Sequence, residues 1–255
     1  ILMKILLYPI SLLYYLVLLI RHKLYDWGIL KSKSYNIPNI CVGNLNLGGT
    51  GKTPHIEYLV RLLSDKYNVA VLSRGYGRDT KGYLLANENH THHDIGDEPL
   101  QYLKKFNNIR IAVDENRCEG MNRLLQEENP PQIILLDDAY QHRKIKPGLN
   151  ILLTDYYNLY KNDRLVPAGN LRDIKKAADR AKIVVVTKSP SVITSYYRRD
   201  VENILKLKPH QKIFYSYVEY QEFQPLSKTS YNIDVKEAKT VLLVSGIANT
   251  YSLTD

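Results

Sequence analysis

The run Gly48-Gly49-Thr50-Gly51-Lys52-Thr53 follows the apolar, β-prone stretch Ile37 to Val42 and precedes a segment with helical patterning. Glycines at such a junction let the backbone turn tightly, so that successive N–H groups converge on phosphate oxygens. Lys52 then neutralises β- and γ-phosphate charge, and the Thr53 hydroxyl can ligate Mg²⁺. This chemistry is that of a nucleoside triphosphate site. Asn46 stands where the GxxxxGK[ST] pattern has its first glycine, and Gly48 and Gly49 supply flexibility two and three residues later. Pro54 is predicted at the first helical position.

Other residues that can do chemistry fall at the ends of apolar runs. Ile133 to Leu136 feeds Asp137-Asp138, followed by Ala139-Tyr140-Gln141-His142. An acidic pair delivered there can hold Mg²⁺ and act on a nucleophile, in the manner of a Walker B element. Ser73-Arg74-Gly75-Tyr76-Gly77-Arg78 places two arginines in a glycine turn suited to an anion, or equally to a solvated loop. In Gly96-Asp97-Glu98-Pro99, Asp97 is either a helix N-cap with Glu98 in the first turn, or a catalytic carboxylate. The loop Asp163 to Asp173 is dense in Arg, Asp and turn formers. His90, His92, His93 and Asp94 lack the spacing of a metal site and are not taken as one.

The elements that must carry these residues form a repeating pattern. Strand-like runs lie at 37–42, 69–73, 109–113, 133–136, 151–154, 183–187, 213–218 and 241–244. Helical patterns lie at 54–67, 98–106, 115–127 and 195–207. Strands apolar on both faces belong in a parallel sheet covered by helices, which predicts an α/β, P-loop NTPase-type doubly wound fold with ligands at the carboxyl ends of the strands. Two cysteines without a paired spacing suit a reducing compartment, and a net charge of +9 calls for anionic partners.

Ile5 to Ile20 is almost wholly apolar and is followed by Arg21, His22 and Lys23. It reads as a retained membrane-associated helix over residues 1–24, either a short span or a segment lying in one leaflet, with a buried core helix as the plain alternative. The basic flank places the following domain on the cytoplasmic side. The kinase-like domain is expected over 25–217. Residues 218–255 are expected to form a linker and the start of a smaller α/β lobe, truncated at the C-terminus.

Taken in order, Val42-Gly43-Asn44-Leu45 running into the glycine loop, Ser73 to Gly77, Gly96 to Pro99, Leu136 to His142 and Pro167-Ala168-Gly169-Asn170-Leu171-Arg172 resemble the tetraacyldisaccharide 4'-kinase family of lipid A biosynthesis. Gly246-Ile247-Ala248-Asn249 is similar to that family's entry into its second lobe, while Ala139-Tyr140 replaces a common Gly-Phe pair. The resemblance implies ATP-dependent phosphorylation of the 4'-hydroxyl of a tetraacyldisaccharide 1-phosphate, with ATP and Mg²⁺. It implies Asp97 as general base with Lys52 and Asp138 catalytic. Gly48, Gly49, Thr50, Gly51, Lys52 and Thr53 would hold the nucleotide, and Thr53, Asp137 and Asp138 the metal. Arg74, Tyr76, Glu98, Arg117, His142 and Arg172 would line the substrate side. A histidine-bearing motif of the family would lie beyond Asp255.

The expected setting is the cytoplasmic side of a bacterial inner membrane. The partners are an acylated disaccharide phosphate lipid and an anionic membrane surface, with no nucleic acid. Leu47 stands where dimerising ATPases carry a lysine that reaches a partner's nucleotide, and a monomer is expected. The rival readings are a membrane-associated regulatory NTPase, for which Val186-Thr187-Lys188-Ser189 only faintly echoes a guanine-reading element, and a soluble small-metabolite kinase.

Overall fold

The computed structural model describes residues 6–219 together with Thr240. Residues Ile1–Tyr217 form one compact unit and Val218–Asp255 a second. The strand expected at 241–244 and the Gly246 to Asn249 element lie outside the described residues.

The first unit opens with helix α1 (Tyr8–Asp26) and continues through β1 (Asn39–Asn44), α2 (Lys52–Leu63), β2 (Val69–Ser73) and the short β3 (Leu84–Leu85). Then come α3 (His92–Ile95), α4 (Asp97–Lys105), β4 (Arg110–Val113), α5 (Arg117–Leu125), β5 (Ile133–Asp137) and β6 (Leu149–Asp155). A 3₁₀ helix (Lys175–Arg180), β7 (Ile183–Thr187), α6 (Ser195–Leu205) and β8 (Lys212–Tyr215) complete it. The strands form one sheet in the order β3-β4-β2-β5-β1-β6-β7-β8. Every neighbouring pair is parallel except β3 with β4.

Burial on both faces explains the unbroken apolar runs. Along β2, Val69 and Val71 join a core with Ile56 and Val60 of α2 and Tyr102 of α4. Ala70 and Leu72 point the other way, into a core with Met121 and Leu124 of α5 and Val201 and Leu205 of α6. Period-two alternation sends successive side chains to opposite faces, so a doubly covered strand has no polar side. Glu57 is 5% exposed yet accepts hydrogen bonds from Arg61, Gln101 and Lys105 at 2.7–3.0 Å, tying α2 to α4. A buried carboxylate so satisfied fixes the two helices relative to each other.

The sheet order puts β1 between β5 and β6, so the chain leaves β1 toward one side and later returns to its other side. Such a reversal point opens a crevice at the carboxyl edge, and the glycine loop lies there. The first helical element departs from expectation in two respects. It runs to Asp26, just past the expected end at residue 24, and one of its faces is docked on the domain. Ser11 Oγ donates to Leu165 O at 3.1 Å and accepts from Ala168 N at 3.0 Å, Tyr14 Oη donates to Arg172 O at 3.0 Å, and Leu18 and His22 are buried. Leu6, Ile10, Leu13, Val17 and Ile20 stay exposed. Among the described residues no helix is long and apolar enough to cross a membrane. The polar stripe that an interfacial helix needs is therefore present, but it faces protein instead of water.

Candidate active site

The glycine loop is shaped by backbone angles that side chains resist: Gly48 has φ 107° and Gly51 φ 83°. Gly51 caps α2, which begins at Lys52 and not at Pro54 as expected; Pro54 sits third in the helix, still within the turn whose N–H groups need no helical partner. A Cβ on Gly48 or Gly49 would meet no described atom within 4 Å, so the cradle above the helix N-terminus is open. Open backbone N–H groups at a helix start form an anion site.

The loop is fixed from below by Asn44, the last residue of β1, which is fully buried. Its Nδ2 donates to Thr50 Oγ1 at 2.8 Å, its Oδ1 accepts from Arg172 Nη2 at 2.5 Å, and its carbonyl accepts from Gln141 Nε2 at 2.7 Å. Asn46, the residue in place of the first glycine, is held by an antiparallel bridge to Leu171 and donates to Asp163 Oδ2 at 3.0 Å. The loop 163–173 is thus the side support of the glycine loop, a role its composition alone did not show.

The acidic pair splits by environment. Asp137 is fully buried at the end of β5, where Ser73 Oγ at 3.4 Å and Tyr102 Oη at 3.3 Å lie against its Oδ2. Its Oδ1 has no hydrogen-bond partner among the described residues. Burial, then the nearby Glu98 and Asp138 charges, push the Asp137 carboxyl well above the usual range. Asp138 sits in the left-handed region at φ 47° and turns outward. Both of its oxygens are gripped by the Arg172 guanidinium, and Lys52 Nζ lies 3.8 Å from Oδ2. Burial raises Asp138, but the Arg172 hydrogen bonds and the Lys52 charge outweigh it and hold the carboxylate low. A buried unpartnered oxygen and an ionised carboxylate beside an open phosphate cradle fit an Mg²⁺ that takes its remaining ligands from phosphate and water.

Across the cleft, Gly96 (φ 88°) caps α4, leaving Asp97 as its first residue and Glu98 as its second. Asp97 is exposed and is not the cap, so the capping reading does not hold. Glu98, expected on the substrate side, instead accepts from Thr53 Oγ1 at 3.0 Å. A Cβ on Gly96 would lie 2.6 Å from Tyr76 O, so the 73–78 turn runs against this helix start. Arg74 and Tyr76 stand exposed on that turn, Tyr76 at 86%. Arg78 is committed to Glu115 at 2.6 Å.

Arg117 does not face the substrate side. It is 3% exposed and donates to Asp114 O at 2.9 Å and Asp137 O at 3.3 Å, countering the acidic pair from behind. His142 is half-buried; burial, then Arg117, Lys144, Arg21 and Arg74, hold it down to about 4, so the imidazole is neutral near pH 7. Lys188 pairs with Asp155 at 3.1 Å. Asp94 completes a capping box with Thr91. His55, whose Nδ1 lies 2.7 Å from Gly51 O and whose Nε2 lies 3.2 Å from Ser216 Oγ, had no sequence signal beyond its place one turn into the helix. Asn44 did have one, as the polar residue ending an apolar strand.

A family profile described as tetraacyldisaccharide-1-P 4'-kinase matches residues 3–255. The chain is 48% identical over 245 residues to the tetraacyldisaccharide 4'-kinase of Bacteroides thetaiotaomicron, covering 96% of this chain and 64% of that protein. It is 48% identical over 248 residues to the tetraacyldisaccharide 4'-kinase of Flavobacterium johnsoniae, covering 97% of this chain and 73% of that protein. Among solved structures it is similar to LpxK from Aquifex aeolicus in complex with ATP, with a TM-score of 0.68 and 32% identity over 88% of this chain and 85% of that one. The chain therefore spans about two thirds of the length of the relatives it matches.

Proposed function

Since the chain belongs to the tetraacyldisaccharide-1-P 4'-kinase family, we propose that it carries the nucleotide site of an enzyme that transfers the γ-phosphate of ATP to the 4'-hydroxyl of an acylated disaccharide 1-phosphate. The observation that carries this reading is the Thr53–Glu98 hydrogen bond, which joins the nucleotide loop to the turn bearing Asp97. Asp97, the exposed neighbour of Glu98, would meet an acceptor hydroxyl at the γ-phosphate.

In this reading the N–H groups of 48–53 and Lys52 hold the phosphates, and Asp97 takes the proton of the acceptor hydroxyl. The acceptor oxygen forms its bond to the γ-phosphorus as the bridging oxygen to the β-phosphorus departs with ADP. Thr53, Asp137 and Asp138 would hold Mg²⁺, which when bound would neutralise charge on the transferring group. Arg172 keeps Asp138 ionised and oriented. Arg74, Tyr76 and His142 form the rim toward the sugar. Positioning and charge complementarity are the main requirements of such a transfer.

The bare apolar face of α1, flanked by Arg21 and Lys23, suits a helix lying in the membrane interface with the catalytic unit on the cytoplasmic face of a bacterial inner membrane. With Leu47 in place of a reaching lysine, a monomer completes its own loop. The test is radiolabel transfer from γ-labelled ATP to the lipid acceptor by the full-length protein. Labelled lipid supports the kinase; ATP hydrolysis with no labelled lipid favours a regulatory NTPase instead.

A further inference from the structure

We infer that α1 is a positioning element of the nucleotide site, acting through the buried His22–Asp173 pair and Arg172, in addition to its part at the membrane; the inference rests on the nucleotide-site reading above. His22 Nε2 lies 2.6 Å from Asp173 Oδ1, with His22 5% exposed and Asp173 fully buried. Asp173 also accepts from its neighbour Ile174 N at 2.8 Å and from Arg180 at 3.4 Å, so the loop end is pinned from α1 on one side and the 3₁₀ helix on the other. Arg172 is the next residue back. Its carbonyl accepts from Tyr14 of α1, and its side chain grips Asp138 and Asn44.

A second route leaves the same helix. Arg21 Nη2 donates to Gln141 O at 2.9 Å, and Gln141 Nε2 donates to Asn44 O at 2.7 Å. Both routes end on Asn44, whose side chain holds Thr50 of the glycine loop. Ser11, Tyr14, Arg21 and His22 recur near the helical period and make these hydrogen bonds, whereas Leu13, Val17 and Ile20 lie exposed on the other face. A helix serving only as a tether would need no buried hydrogen bond to the loop that supports the nucleotide. The two faces therefore have separate tasks, and binding of nucleotide and docking of α1 are linked, each favouring the other.

The test uses full-length protein in detergent, with the Kd for ADP and for a fluorescent ATP analogue measured in Mg²⁺ without any lipid acceptor, alongside Tm. His22→Ala raises both Kd values about 5- to 10-fold, the lower part of the range for coupled sites. His22→Gln, which retains an N–H for Asp173, returns them to within about twofold of wild type. The double variant Leu13→Ser/Val17→Ser keeps the wild-type Kd. Should His22→Ala fail to fold, Tyr14→Phe removes one hydroxyl from the Arg172 carbonyl and shifts Kd in the same direction, about 2- to 5-fold. Wild-type or tighter affinity in His22→Ala or Tyr14→Phe overturns the inference, as does equal weakening in the exposed-face variant. A wild-type protein that binds no nucleotide removes the function reading itself, which separates the two failures.

Discussion

The Thr53 hydroxyl donates to Glu98 Oε1 at 3.0 Å, so the residue closing the glycine loop is bonded to the one that follows Asp97. Glu98→Ala removes that acceptor, and on the proposed reading Thr53 loses the orientation that would suit a metal. Nucleotide affinity in Mg²⁺ should fall about tenfold, the equivalent of one ordinary hydrogen bond of about 1.4 kcal/mol, while Glu98→Gln, which keeps an acceptor oxygen, stays within about threefold. Isothermal titration with ADP and Mg²⁺ checks both; equal losses in the two variants would assign Glu98 a charge role instead.

Asp97 is exposed, does not cap its helix and sits in its first turn. Asp97→Asn should lower phosphate transfer by about 10² or more, as removal of a general base does, and leave Tm and nucleotide Kd near wild type. A parallel loss of Tm would return the residue to a structural role.

Gly96 has φ 88° and ψ 166°, and a Cβ there would lie 2.6 Å from Tyr76 O. Both facts exclude a side chain. Gly96→Ala should cost about 1–3 kcal/mol in urea unfolding and displace the Arg74–Tyr76 turn from Asp97, lowering transfer as well. Unchanged stability would show that this turn yields freely.

His142 gives the stability a pH dependence with a definite sign. Its folded value of about 4 lies below the usual 6.5, because burial and surrounding cations disfavour the imidazolium. Above the unfolded value neither state takes the proton and no cost arises. As pH falls from there toward 4, the unfolded chain binds a proton that the folded site refuses, and stability is lost. His142→Gln should therefore lose less stability than wild type between about pH 7.5 and about pH 5, read by urea unfolding at each. Parallel losses would mean that the site admits the proton.

Leu13, Val17 and Ile20 are more than half exposed on the undocked face of α1. Replacing all three by Ser should weaken partitioning onto anionic vesicles by at least about tenfold, since burying one such side chain is worth about 1.5–3 kcal/mol. Tm should hold, because these side chains are mostly in water already. Undiminished sedimentation with vesicles would remove the face from membrane attachment.

Much of the fold was legible because its signals are local. Seven of the strand runs need only their own residues: Ile183 to Thr187 is β-branched throughout, and burial on both faces leaves no polar position to confuse the pattern. The two-residue β3 carries no such signal. Helix ends were less legible, since α2 starts at Lys52 on the strength of Gly51 at φ 83°, an angle imposed by the loop as a whole.

The sequence by itself determined which chemistry this chain is built for: glycines before Lys52-Thr53, an acidic pair after a strand, and an aspartate at a helix start, each decided by neighbours a few residues apart. Only the tertiary structure decided how these parts act on one another. Arg117 went under the acidic pair instead of toward substrate, Glu98 turned to Thr53, and a leader that reads as a membrane anchor placed His22 against Asp173. Those pairings join residues 20 to 151 positions apart, and the burial that makes them strong exists only once the sheet has brought them together.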